Sequence, residues 1–385
     1  MSIQEQIIGW RHHLHKHPET GLKEHQTAGF VAAKLEEFGI EVHQNIGGTG
    51  VVGILKCGNS DRSIGLRADM DALMINETND FDYKSVNEGV MHACGHDGHT
   101  SMLLGAASEL SRTRNFDGTV YFIFQPDEEH GMGAKAMIAD GLFTRWSIDA
   151  VYAIHNMPGI RAGQVLTRSG SIMASESSFE IDIIATGGHA ALPHMGTDPI
   201  VVGAQIVCAL QTIVSRNLSA ISETAVISVT EFATNGTVNV IPSHVRITGD
   251  TRSFTDEALA KIEAAIERVV AGQCASAGVE YKYKFTNTFL STINSPRETE
   301  YAIQAAQEAL GAENVDGDCQ PLTISEDFSF MQREVNSCYI LMGNGVDTEG
   351  GNALHKPNYD FNDNILMKGV AYWQTLVENR LPAKK

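Results

Sequence analysis

The sequence predicts an α/β fold in which a mixed sheet flanked by helices is interrupted by a smaller α+β domain. Three observations lead there. Short, almost wholly apolar runs at 120–124 and 150–154 read as buried strands, and helical patterns separate them. From about Ser177 the pattern changes: Phe179, Ile181 and Ile183 alternate with Glu180 and Asp182, the mark of a strand with one wet face. After about residue 289 the first style resumes, so the middle reads as an insertion. The expected organisation is one domain of 1–176 plus 289–385 and a second of 177–288. A chain of 385 residues is long enough for two cores.

Taken in order, Ile3, Ile7, Trp10 and Leu14 have helical spacing, and Pro18 stops that run. His12, His13, His15 and His17 lie in its last turns, where cations suit the carbonyl end. Spread around the helix, they read as structural rather than as a metal site. A second helix opens at Thr27, reaches Phe38 and is closed by Gly39. Strands come next at 50–55 and 63–68. The second runs into Arg67-Ala68-Asp69-Met70-Asp71, two carboxylates at strand spacing where open α/β sheets keep their sites.

The stretch Met91-His92-Ala93-Cys94-Gly95-His96-Asp97-Gly98-His99-Thr100 is the one around which the rest of the chain is organised. It sets a thiol, three imidazoles and a carboxylate within ten residues. Cys94 and His96 are two apart, so in extended backbone their side chains leave the same face. Thiolate plus imidazole suits zinc and similar metals. A helix is expected at 101–111 and a buried strand at 118–125. That strand delivers Asp127-Glu128-Glu129, three consecutive acids that repel one another unless something cationic neutralises them. A helix at 134–139 and an apolar strand at 150–155, ending in His155, come next. The insertion holds helices at 199–216 and 256–276 and strands at 225–232, 243–252 and 279–285. The last part reads as a helix at 297–310, a short strand at 338–342, His355 on a loop and a terminal helix at 361–379.

Composition narrows the function classes. The chain has 28 basic and 47 acidic residues, a formal charge of −19, which argues against a nucleic-acid partner and against an anionic membrane surface. No uncharged apolar run approaches the length of a membrane span, and the first residues do not resemble a signal peptide. Six cysteines without paired spacing point to a reducing, cytoplasmic setting.

Collected together, the strand-end and loop donors are Cys94, His96, Glu129, His155 and His355. Donors from so many segments exceed one tetrahedral zinc and fit two ions that share a bridging group. Such a site needs a carboxylate that is not a ligand, to move a proton from water to a leaving amine. Glu128 fits, because adjacent side chains on an extended strand diverge and only one of the pair can face the ions.

These motifs, with Gly65-Leu66-Arg67-Ala68-Asp69-Met70-Asp71-Ala72-Leu73, Ala153-Ile154-His155-Asn156, Gly187-Gly188-His189-Ala190-Ala191-Leu192-Pro193-His194, Asn239-Val240-Ile241-Pro242 and Leu354-His355, carry a resemblance over nearly the whole chain. The sequence resembles the amidohydrolase branch of the dinuclear-metal aminoacylase and carboxypeptidase family, which includes hippurate hydrolase and the indole-3-acetyl-amino-acid hydrolases. The resemblance implies a catalytic α/β domain interrupted by a lid, and metal-dependent hydrolysis of N-acyl amino acids. It implies two divalent ions, zinc or manganese with nickel or cobalt possible, and a homodimer formed through the lid. It implies Cys94, His96, Glu129, His155 and His355 as ligands, Glu128 as base then acid, and Asp71 as a carboxylate that orients a ligand. It implies His189 as donor to the oxyanion, and Asn239 and Arg252 as holders of the substrate carboxylate. Asp69 stands where related carboxypeptidases have a ligand histidine and is read as supporting the ligands. Met74 and Asp127 depart from the usual proline and alanine. Three rivals stand beside this reading: a dipeptidase or aminopeptidase on the same site, an inactive binding protein on the same fold, and a Cys94 nucleophile paired with His96 or His99.

Overall fold

The structure is a computed structural model that describes residues 2–347 and 350–383. The chain divides into two compact units: Met1–Ile172, Ile293–Gln320 and Asp327–Lys385 form one, and Met173–Thr292 with Pro321–Glu326 the other. The second unit therefore takes in a short segment from far along the chain, which no boundary read from sequence pattern includes.

The first unit is built on an eight-stranded mixed sheet. Strand Ser63–Asp69 is buried along its whole length and runs parallel to Gly118–Gln125 on one side and Ala150–Pro158 on the other. Asn336–Gly345 extends the parallel set beyond Ala150–Pro158. Gly50–Cys57 pairs antiparallel with Gly118–Gln125, and Glu41–Ile46 closes that edge antiparallel to Gly50–Cys57. Strands buried on both faces have no polar alternation, which is why the central runs are continuously apolar. Helices Ile3–Lys16, His25–Glu37, His96–Thr113, Pro296–Leu310 and Leu366–Arg380 contribute Ile7, Leu35, Leu103, Ala305 and Trp373 to one continuous core with the sheet.

Several expectations are adjusted. The edge strand Glu41–Ile46 is additional; its mostly exposed EVHQNI sequence has no apolar alternation to announce it. The terminal helix begins at Leu366, not Phe361, because Asn362 caps a short 3-10 turn at Asp363–Ile365 ahead of it. Cys94 and His96 are not in extended backbone. Gly95 takes a left-handed conformation (φ 97°), and His96 is the first residue of helix His96–Thr113. A Cβ at position 95 would lie 2.1 Å from Asn156 Oδ1, so the turn requires glycine twice over.

The second unit is a four-stranded antiparallel sheet in the order Ala225–Thr234, His244–Ser253, Glu176–Ile184, Glu280–Phe289. Phe179, Ile181, Ile183, Val245 and Ile247 meet Ile206, Leu210, Ile262 and Ile266 from helices Pro199–Thr212 and Asp256–Ala277 in its core. The α+β character arises from the period-2 strands, which leave one sheet face for the helices to cover. The helical stretch Pro199–Asn217 is long and apolar enough to cross a membrane by length and composition, contrary to the expectation from sequence. Here its Val202, Ile206, Leu210 and Ile213 are buried in the core of this unit.

Candidate metal centre

Parallel strands end together, and their carboxyl ends bring the candidate side chains of the first unit to one place. Ser63–Asp69 delivers Asp69 and then Asp71; Gly118–Gln125 leads into Asp127, Glu128 and Glu129; Ala150–Pro158 carries His155 and Asn156. The turn at Gly95 supplies Cys94 and His96. His355, in a left-handed conformation (φ 61°), is pinned by its backbone N–H to the Ala93 carbonyl at 2.8 Å.

The donors cluster as two triads that share one sulfur. Donor atoms of Cys94, His96 and His155 lie within 4.8 Å of one another, and so do those of Cys94, Glu129 and His355. Cys94 Sγ is 3.4 Å from His155 Nε2, and His355 Nε2 is 3.4 Å from Glu129 Oε1. A third group joins His96 and Glu129 to Glu128, which is 6% exposed. The five ligand candidates and Glu128 are thus assembled within one unit.

The ring nitrogens are already oriented. His96 Nδ1 donates to the Asp71 carbonyl oxygen (2.9 Å) and faces the Asp71 carboxylate (3.1 Å). His155 Nδ1 donates to the Asn156 carbonyl (2.6 Å). Both imidazoles therefore turn Nε2 inward, the arrangement that fixes a metal-binding tautomer. His96 Nε2 and Glu129 Oε1 are buried without a hydrogen-bond partner. Orphaned buried acceptors of this kind are costly unless something else satisfies them, and a cation fits that need.

The electrostatics agree. Burial together with the Glu129, Glu128 and Asp69 carboxylates holds the Cys94 thiol well above the usual thiol range. Burial pulls His96 down, but Asp69 and Asp71 outweigh it and push it up to about 10. Burial and the neighbouring His99 hold His155 well below its ordinary value, so it is neutral. The cluster is rich in negative charge and attracts a proton where a divalent ion would otherwise sit.

Supporting residues surround the donors. Asp69 is not among the shared-sulfur triads. Its Oδ1 meets His99 Nδ1 at 2.6 Å, and its Oδ2 accepts from Arg67 at 2.7 Å. Arg67 also donates to Gln125 and Asp327. His99 Nε2 accepts the Asn156 N–H at 2.9 Å. Asp97, beside His96, receives hydrogen bonds from Arg11 (3.0 Å) and His15 (2.9 Å) on the first helix. His15 and Arg11 are fully buried, so one of the four helix histidines is a built part of the surroundings. Sequence reasoning missed Arg11, His15 and Asp97; their only signal is an arginine and a histidine four apart on one helical face.

In the second unit, His189 and Asn239 are neighbours. Gly188–His189 pairs with Val240–Ile241, with His189 opposite Val240, and the Ala190 N–H donates to the Asn239 carbonyl at 3.0 Å. Arg252 is not with them. It lies near the far end of strand His244–Ser253, roughly 25 Å along the strand from His244 at about 3.3 Å per residue. Its guanidinium is held by Glu176 (2.7 Å), Asp250 (3.0 Å) and Ser325 (2.8 Å).

Residues 65–379 match the sequence signature described as Peptidase family M20/M25/M40. The chain belongs to that family. This M20 chain is 40% identical over 376 residues to a hippurate hydrolase of Campylobacter jejuni, covering 98% of this chain and 97% of that protein. It is 35% identical over 368 residues to an N-acetyl-L-cysteine deacetylase of Bacillus subtilis, covering 95% and 86%. Among solved structures, a dinuclear metal binding peptidase of the M20 family from Bacillus subtilis superposes with a TM-score of 0.84 at 30% identity, covering 98% of both chains. The M20 chain is a hydrolase of this amidohydrolase and metallopeptidase class.

Proposed function

We propose that this chain hydrolyses the amide bond of N-acyl amino acids, using two divalent ions held by Cys94, His96, Glu129, His155 and His355. The observation that carries the reading is the pair of donor triads sharing Cys94, with the buried Glu128 carboxylate beside His96 and Glu129. Divalent ions bound there supply Lewis acidity, polarising the amide carbonyl and making a water acidic near neutral pH. Glu128 accepts a proton from the attacking water as its oxygen adds to the amide carbon. It then gives that proton to the nitrogen as the C–N bond breaks. Asp71 holds the His96 ring and the Glu129 backbone in place for this. We assign to His189 the hydrogen bond to the developing oxyanion and to Asn239 the substrate carboxylate. Their adjacency in the second unit supports that pairing. For Arg252, the two acidic partners it already holds support a structural role over a receptor role.

The thiolate favours zinc, and the carboxylate and histidines also suit manganese, nickel or cobalt. A reducing, cytoplasmic setting is supported by the six cysteines, all unpaired. A dimer is supported by the second unit's open edge strand, Ala225–Thr234, where Val226 and Phe232 are exposed.

Glu128→Gln tests the mechanism: metal stoichiometry and substrate binding stay, and most turnover goes. Normal turnover in that variant refutes it. A panel of hippurate, N-acetyl amino acids, indole-3-acetyl conjugates and unblocked dipeptides, run on chelated protein with zinc or manganese added back, tests the substrate class. Cleavage of dipeptides alone selects the peptidase reading. Activity that survives chelation selects a Cys94 nucleophile.

A further inference from the structure

Glu24 is a fully buried carboxylate with no part in the proton transfers assigned to Glu128. One of its oxygens accepts the backbone N–H of Asp127 at 2.9 Å, and the other accepts the Thr49 hydroxyl at 2.5 Å. Asp127 is 3% exposed and has a left-handed backbone (φ 47°), a conformation unfavourable for a residue with a Cβ. Two residues on, the Glu129 N–H is held by a second buried carboxylate, Asp71, at 3.1 Å. Glu128 stands between these two grips, and its carbonyl accepts the Gly131 N–H at 2.8 Å. The loop that carries Glu24 fits closely: a Cβ on Gly21 would lie 1.7 Å from Asp127 Oδ1.

We propose that Glu24 is a positioning residue for hydrolysis, holding the left-handed turn at Asp127 so that the Glu128 carboxylate is aimed at the reacting water. The proposal rests on Glu128 as the base. The physical argument is one of direction. An unheld left-handed residue relaxes toward ordinary backbone, and that rotates the next side chain out of line. A misplacement of about 1 Å at such a group costs on the order of a hundredfold in rate. The ligands Cys94, His96, His155 and His355 are held by other contacts and the Glu129 N–H by Asp71, so metal stoichiometry should not depend on Glu24.

The test compares the metal-loaded Glu24→Ala, Glu24→Gln and Glu19→Ala enzymes with wild type. Glu24→Ala should lower kcat about tenfold or more, with KM within about twofold. Metal stoichiometry should be unchanged, and amide hydrogen exchange across 126–132 should be faster. Glu24→Gln should restore most of kcat, since its amide oxygen can accept from Asp127 while its NH2 donates to Thr49. Glu19 caps helix His25–Glu37, which starts directly after Glu24, accepting from the Gln26 and Thr27 N–H groups at 2.9 Å. Glu19→Ala should lower Tm and leave kcat alone. The proposal is overturned by a Glu24→Ala enzyme with kcat within twofold of wild type, by unchanged exchange at 126–132, or by a Glu24→Gln enzyme as slow as Glu24→Ala. If Ala at 24 prevents folding, Thr49→Val, which frees one side of the carboxylate, should give a smaller loss of kcat, and no loss overturns the proposal. Full turnover in Glu128→Gln refutes the base assignment itself and is read separately.

Discussion

Replacing Asp71 with Asn should weaken metal binding tenfold to a hundredfold without unfolding the protein. Asp71 is 1% exposed and uses both carboxylate oxygens: one faces His96 Nδ1 at 3.1 Å, the other accepts the Glu129 N–H at 3.1 Å. Asparagine has the same shape but only one acceptor. Whichever way its amide turns, an NH2 faces an N–H. If the oxygen stays with Glu129, His96 still has the Asp71 carbonyl at 2.9 Å but loses its charged partner. If it turns to His96, the buried Glu129 N–H is left without an acceptor. Either outcome forfeits one charge-assisted hydrogen bond, worth about 1.5–3 kcal/mol, and each 1.4 kcal/mol is about a factor of ten in affinity. The estimate agrees with the general cost of losing a group that orients a metal ligand, about 10–100-fold. Competition against a chromophoric chelator, with zinc and with manganese, gives the Kd directly, and a thermal melt of the metal-free protein reports folding. A Kd within twofold of wild type for both metals would show that Asp71 does not orient the donors.

Asp97→Asn removes the buried negative charge shared by Arg11 and His15, while Arg11 keeps Asp360 and Asp363 as partners. Breaking a buried pair costs about 3–5 kcal/mol, so Tm should fall by about 4–6 °C for a chain of this length; a shift under about 2 °C would count against the network. Burial raises the Asp97 carboxyl, but Arg11 and His15 outweigh it and hold it well below the usual carboxylate range. A depressed pKa gives stability that is complete above the unfolded value near 4 and is lost as pH falls below it. The urea midpoint of metal-free wild type should therefore drop between pH 5 and pH 3, with a smaller drop in Asp97→Asn; parallel curves would refute the assignment. Arg252→Ala should lower Tm and leave KM within about threefold, because Arg252 is tied to Glu176 and Asp250; a KM raised tenfold with intact folding would restore it as a substrate receptor.

The central strands and the donor set were legible in the sequence, because both rest on local signals. A continuously apolar run such as 120–124 can only be a buried strand or helix, and Glu128 and Glu129 come after it with little between. What was not legible depends on partners far along the chain. Nothing near His15 signals that it bonds Asp97 and Glu77, 82 and 62 residues away. Cys94 and His96 are brought together through a glycine turn rather than an extended strand, so the expected donor pair is assembled by a different local geometry. The strand Glu41–Ile46 escaped notice because an edge strand with polar side chains needs only a neighbour's backbone to form. Asn239 and Arg252 are both expected to hold the substrate carboxylate, but Asn239 precedes strand His244–Ser253 and Arg252 lies near its other end.

The first helix has a consequence for how the protein is made. Arg11 leaves the ribosome early, yet its partners Asp97 and Asp360 lie 86 and 349 residues further on. At roughly 5–20 residues per second, the last of them emerges about 20–70 s later, together with His355. Until Asp97 emerges the helix cannot bury its arginine without an orphaned charge, and until His355 emerges the second donor triad lacks a member. The donor cluster is thus completed only once His355 has been made, so a nascent chain that stops short of it lacks the second triad.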